Sequence, residues 1–151
     1  MTRKRADDLL VDAYGWLSND DAVQSRLGDA GEVVTYGQTR DPDGEPDLAP
    51  VTVAVTVIPG NSDRNNKQED KTVVLEVEAS ASNAWIASNG TLELTRLAGD
   101  VADAVAVHRD GWGFEGASGG SGAVSPDPDR PRYSAVRRFD FSRHDPAVAH
   151  D

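Results

Sequence analysis

The sequence predicts an α+β fold, a mainly antiparallel sheet of about five strands with two helices packed on one face. Three observations carry that expectation. Two valine-rich segments alternate apolar and small or polar residues with a period of two, and two other segments repeat their apolar residues at helical spacing. The strands also come in runs, whereas a doubly wound fold needs strict alternation of strands and helices. With 151 residues the chain reads as one domain over 1–142, followed by a flexible polar tail, 143–151.

In order along the chain, Ala6 to Ser18 forms the first helix. Leu9, Leu10, Ala13 and Leu17 make its apolar stripe, with Asp7 and Asp8 in the first turn, where the helix dipole favours them. Asn19-Asp20-Asp21 interrupts it, and Asp21 followed by Gln24 resembles a capping box for a short turn closing at Gly28. Val33 to Tyr36 is a short strand, and Asp41 to Pro50, with Pro42, Gly44, Pro46 and Pro50, is a loop. Val51, Val53, Val55 and Val57 alternate with Thr52, Ala54 and Thr56, and Val73, Leu75 and Val77 alternate with Val74, Glu76 and Glu78. The polar segment Pro59–Asp70 between them makes a hairpin with a long connection, of a length often used as an interaction arm.

Leu94, Leu97, Ala98, Val101, Val105 and His108 mark one face of the second helix, Thr91 to His108. Gly111 to Glu115 is a strand. Glu115 to Arg132 is rich in glycine and serine and then in proline, the composition of a flexible stretch. Tyr133, Ala135, Arg137, Phe139 and Phe141 alternate with Ser134, Val136, Arg138 and Asp140 in the last strand.

Charge narrows the function classes. The chain carries 26 acidic and 15 basic residues, a net charge of −11. Nineteen of the acids are aspartate, and only three of the cations are lysine. At molar salt the screening length falls to roughly 3 Å, which quenches self-repulsion and leaves a well-hydrated carboxylate surface. This Asp-rich, Lys-poor composition resembles proteins of salt-in halophiles. Phosphate neutralisation by a basic stripe is disfavoured, since only Arg3-Lys4-Arg5 and Arg137-Arg138 cluster. No apolar run approaches the ~18 residues of a membrane span, and no apolar segment follows the basic Met1–Arg5, so neither span nor secretory signal is expected.

Chemical motifs fail on context. The chain has no cysteine, which excludes disulfides, thiolate metal sites and thiol nucleophiles. Gly116-Ala117-Ser118-Gly119-Gly120 matches the G-x-S-x-G pattern, but that motif works on a strand-to-helix turn and no helix start follows it. His108, His144 and His150 have no partner at metal-ligand spacing, and the acids Asp41, Asp43, Glu45 and Asp47 lack the offsets of a calcium loop. No catalytic residue, metal or cofactor is therefore expected. Trp16, Trp85 and Trp112 read as core anchors or as interface hot spots. The candidate interface residues are Trp85 and Ile86, Arg64, Asn65, Asn66 and Lys67 in the first long loop, Arg130 and Arg132 at the close of the second, and Arg137 on the last strand.

The order of elements resembles the tail-completion or tail-terminator family of long-tailed viruses. The likeness starts at Trp16-Leu17-Ser18-Asn19-Asp20-Asp21-Ala22-Val23 and Leu27-Gly28, a helix followed by an acid-capped turn closing on Leu-Gly. It continues through the strands Val51–Ile58 and Thr72–Ala79, the helix Leu92–Val107 and the aromatic strand Tyr133–Phe141. The loops Pro59–Asp70 and Glu115–Arg132 are longer than that family's pattern. The resemblance implies a non-enzymatic virion protein, made in the host cytoplasm and placed at the tail–neck junction. It implies a homohexameric ring that ends tail-tube assembly and meets the tube protein below and a neck or connector protein above. Genomic DNA would slide through an acidic lumen without specific binding. A head-closure or connector ring, a halophilic binding module and an esterase acting through Ser118 are the competing expectations.

Overall fold

The computed structural model describes residues 6–35, 49–59, 72–107, 112–119, 123–127 and 131–143. Two helices come first, α1 (Ala6–Asn19) and α2 (Asp21–Leu27), then a 3-10 turn (Gly28–Ala30) and strand β1 (Gly31–Thr35). Strands β2 (Val51–Pro59) and β3 (Thr72–Ser82) follow, then helices α3 (Asn83–Asn89) and α4 (Thr91–Val107), and finally β4 (Trp112–Gly119), β5 (Ser125–Pro126) and β6 (Arg132–Arg143). All the described strands join one strongly curled sheet in the order β1-β2-β3-β6-β4, with β5 also pairing β6.

The sheet is mixed, which corrects the antiparallel expectation. Strand β1 runs parallel to β2, with Gly31 opposite Val51 and Thr35 opposite Val55. Parallel neighbours need a connection of about a dozen residues or more, and the span from Thr35 to Val51 meets that requirement where a short hairpin would not. The remaining pairs are antiparallel. Strands β3 and β4 both flank β6 and therefore run parallel to each other, with α3 and α4 lying between them in sequence.

Register sorts the two faces. Val51, Val53 and Val55 lie opposite Ala81, Ala79 and Val77, and β6 continues the row with Tyr133, Ala135, Arg137, Phe139 and Phe141. Most of this row is buried in a single cluster with Leu9, Ala13, Trp16 and Leu17 of α1, Val23 and Leu27 of α2, and Leu94, Leu97, Ala98, Val101, Ala104 and Val105 of α4. The valine faces read from the alternation are thus core. Trp16 and Trp112 both pack on the Phe141 ring, at centroid distances of 5.8 and 6.5 Å. The indole Nε1–H of Trp112 donates to Asp12 at 2.9 Å, which joins α1 to β4. The other face is closed in part: Val34, Thr52, Ala54, Val74, Glu78, Ser80 and Arg132 are buried there, while Arg138 is exposed.

Local chemistry explains the element boundaries. The N-cap of α2 is Asp20, not Asp21. Its backbone is extended and its carboxylate accepts from the Val23 N–H at 3.1 Å. Gly28 ends α2 at φ 59 and ψ −157, a conformation essentially confined to glycine. Gly31 is glycine for a different reason, because a Cβ there would meet Leu27 and Val51 side-chain carbons at 2.8 Å. Helix α3 was not expected. Ser82 caps it by accepting from the Trp85 N–H at 3.1 Å, and Gly90 closes it by donating to the Ile86 carbonyl at 2.7 Å. Among the described residues there are therefore four α-helices where two were expected.

The stretch 115–132 is not one flexible loop. Its first residues continue β4 as a doubly bulged edge strand, with register shifts at Phe114/Gly116 and Ala117/Gly119. Gly116, at φ 117, takes a backbone conformation that glycine permits. Ser125 and Pro126 then pair with Ser134 and Tyr133, a position at the sheet edge that tolerates proline. No described helix is long and apolar enough to cross a membrane.

Candidate interface

The structure separates the candidate residues by what holds them. Arg64, Asn65, Asn66, Lys67 and Arg130 lie outside the described residues, as do the three histidines and the acids Asp41 to Asp47. Ser118 lies within β4 and not on a strand-to-helix turn. Among the described residues no group of three or more histidine, cysteine, aspartate or glutamate side chains is placed to hold a metal ion.

Trp85 and Ile86 sit on α3, half-buried against the core cluster. Each spends part of its apolar surface inside and leaves the rest at the surface, the arrangement of an anchor at a rim. Val11, Tyr14, Leu92 and Val107 are exposed on the helices, and scattered single apolar side chains of this kind are ordinary surface.

Arg132 has an internal task. It is 7 % exposed, and its guanidinium donates to Ser80 Oγ at 2.7 Å, to the Ala49 carbonyl at 3.0 Å and to the Ser80 carbonyl at 3.3 Å. These bonds tie the start of β6 to β3 and to the residue leading into β2. Arg138, six residues further along β6, pairs across to Glu76 at 2.7 Å on a more exposed part of the sheet.

Arg137 is held differently. It lies opposite Val77, on the side of the sheet that carries the core row. With Val77, Ala79, Ala98, Val101 and Ala135 it lines an apolar recess too narrow for a water molecule. Its Nε is buried and has no hydrogen-bond partner. A buried unpaired donor costs about 1–3 kcal/mol, so this position is tolerated at the expense of stability.

A second charged cluster was not anticipated. Arg26 of α2 reaches α4, where Nε bonds Asp100 and Nη1 bonds Glu93 at 3.0 Å, and Glu93 also accepts from Arg96 at 3.1 Å. Asp100, first through its hydrogen bond and then through its charge, raises the Arg26 pKa against the opposing effect of burial, and Glu93 adds to the rise. The guanidinium therefore stays charged at any working pH, and salt is the variable that weakens this tie. Glu93 and Arg96 at i,i+3 were legible as a helix-surface pair. Arg26 lies 67 residues away in sequence from Glu93, and no local pattern joins them.

No family model matches the chain, and no curated protein matches it.

Proposed function

We propose that the chain is a structural subunit of a ring at the junction of a viral tail tube and the capsid neck, of the tail-terminator kind, in a virus of a salt-loving host. The observation that carries this reading is the long β2–β3 hairpin. Its register runs from Val51↔Ala81 to Pro59↔Val73, so the ends of the twelve-residue connection lie side by side, far closer than a connection of that length requires. The element order supports it too, with a capped two-helix start, the hairpin, the long helix α4 and a closing aromatic strand. The acidic charge suits a lumen through which DNA must pass without sticking.

Mass photometry and negative-stain microscopy at about 2–3 M KCl, where long-range repulsion is screened, test the ring. Closed rings are expected, and a monomer at every salt concentration overturns the reading. Replacing 60–71 with a short glycine-containing turn then tests the arm. The shortened chain should fold yet lose ring closure, or let tubes grow past their normal length. Rings that capture the connector and ignore the tube protein would assign the head-closure role instead.

A further inference from the structure

Helix α3 ends on Asn89-Gly90, the one Asn-Gly pair in the sequence. Two hydrogen bonds hold that pair against the preceding turn. The Asn89 side-chain amide donates to the Trp85 carbonyl at 3.0 Å, and the Gly90 N–H donates to the Ile86 carbonyl at 2.7 Å. Gly90 sits at φ 87 and ψ 157, a backbone conformation that glycine permits. Asn89 is exposed, and a Cβ built on Gly90 would meet nothing within 4 Å, so the pair lies open to solvent.

An Asn-Gly pair carries its own chemistry. The glycine amide nitrogen loses its proton and attacks the asparagine Cγ, the bond from Cγ to the side-chain nitrogen breaks, and ammonia leaves. Water then opens the resulting cyclic succinimide at either carbonyl. Opening at the side-chain carbonyl gives aspartate, and opening at the main-chain carbonyl gives isoaspartate, which adds a methylene to the backbone. Glycine favours the attack because no side chain crowds its nitrogen. In α3 the attacking nitrogen and the leaving amide are both engaged, each with a carbonyl of the turn before. Attack requires the Gly90 bond to break and the Asn89 side chain to turn.

That restraint is local. Helix α3 has seven residues, none of them buried, and Ser82 caps its start by accepting from the Trp85 N–H at 3.1 Å. So short a helix opens well before a whole domain unfolds. We propose that Asn89 is a site of spontaneous covalent modification, kept as asparagine while the α3 C-cap is closed and converted to aspartate and isoaspartate when α3 opens. The proposal stands apart from the ring reading. Its product changes an unusual stretch of the surface, since Asn89 lies in the run Ala79–Leu92, which carries no charged residue in a chain with 26 acids and 15 cations. Conversion puts a carboxylate beside the last carbonyls of α3, where the helix dipole disfavours it. Isoaspartate also lengthens the backbone at the cap that binds the Trp85 and Ile86 carbonyls. The fraction converted therefore measures how long α3 has spent open.

The test incubates the full chain in mildly alkaline buffer at about 2 M KCl, where long-range repulsion is screened, beside the same chain unfolded in urea. Peptide mass spectrometry and isoaspartyl methyltransferase labelling follow position 89, and native-state hydrogen exchange follows the Gly90 amide. In urea Asn89 should convert ahead of every other asparagine. In the folded chain its conversion should slow by about tenfold or more, in step with the protection of the Gly90 amide, because both reactions wait for the same N–H to be released. Ser82→Ala removes the N-cap and should speed both by about threefold or more in a chain that thermal melts show to be folded. Ser82→Thr keeps a capping hydroxyl and should leave both rates as they are. Absence of conversion at Asn89 in urea overturns the site. Conversion as fast in the folded chain as in urea overturns the gate. So does folded conversion that outruns Gly90 exchange, or that stays at zero while Gly90 exchanges freely. This comparison uses the unaltered chain and holds even where Ser82→Ala fails to fold.

Discussion

Arg132 shows how a single side chain can hold separate parts of a sheet together. Its guanidinium satisfies Ser80 Oγ and the carbonyls of Ser80 and Ala49, all in a region where Ser80 is fully buried. Arg132→Ala strands these acceptors and should cost about 2–3 kcal/mol, read as a lower urea midpoint with an unchanged slope. Two glycines make opposite predictions. Gly28, at φ 59 and ψ −157, has open space around it, so Gly28→Ala meets no clash and should lose about 1–3 kcal/mol through backbone strain alone. Gly99 sits inside α4, also with open space, and Gly99→Ala should gain about 0.5–1 kcal/mol by helix propensity. Thermal melts of the two variants should move in opposite directions.

Among the elements, β2 and β3 carry the core. Val55 is fully buried in register with Val77, so Val55→Asp would place an unpaired carboxylate between the sheet and the helices. The loss should be about 3–5 kcal/mol or more, and a soluble variant with wild-type melting would refute this facing. These strands were legible because their period of two is nearly unbroken, as were α1 and α4 because their apolar stripes repeat at helical spacing. The elements that escaped lack periodic signals. Helix α3 is a run of alanine, serine and asparagine around Trp85 and Ile86, and its start depends on a serine cap that any loop might contain. Strand β1 was recognised as a strand, but its parallel direction depends on Val51, across a long connection, and not on its own residues. Strand β4 was foreseen only to Glu115, because the glycines that permit its bulges are the same residues that mark loops. Trp85, Ile86 and Arg137 can be singled out in the sequence by residue type alone. That Arg132 would bond inward and Arg137 would not depends on which face of β6 each occupies and what meets it there.

At the scale of the whole molecule the net charge sets a testable expectation. With a net charge of −11, lowering salt restores repulsion over distances of about 10 Å at 0.1 M. The melting temperature should climb by roughly ten degrees or more between about 0.1 and 3 M KCl, as long-range repulsion is quenched. A flat profile would remove the halophilic reading. Part of that rise opposes the Arg26 tie between α2 and α4, since salt weakens attraction and repulsion alike. Arg26→Gln should therefore steepen the dependence on salt, measured as the slope of melting temperature against salt concentration.

The position of β6 has a consequence for how the chain is made. This strand is late in the sequence yet interior to the sheet, bonded to β3 on one side and to β4 and β5 on the other. Its Phe141 ring packs on Trp16 of the first helix, and Trp112 reaches Asp12 across 100 residues. A ribosome therefore releases the earlier elements before the strand that completes the sheet exists, and the β3 edge that β6 will pair and the Trp16 ring that Phe141 will cover wait without them. Nascent chains stalled at about residue 130 should remain open to protease and dependent on chaperones, since long-range pairing of this kind is slow and leaves apolar surface exposed meanwhile. Chains arrested through an added C-terminal linker long enough to bring 131–143 out of the exit tunnel should abruptly become resistant.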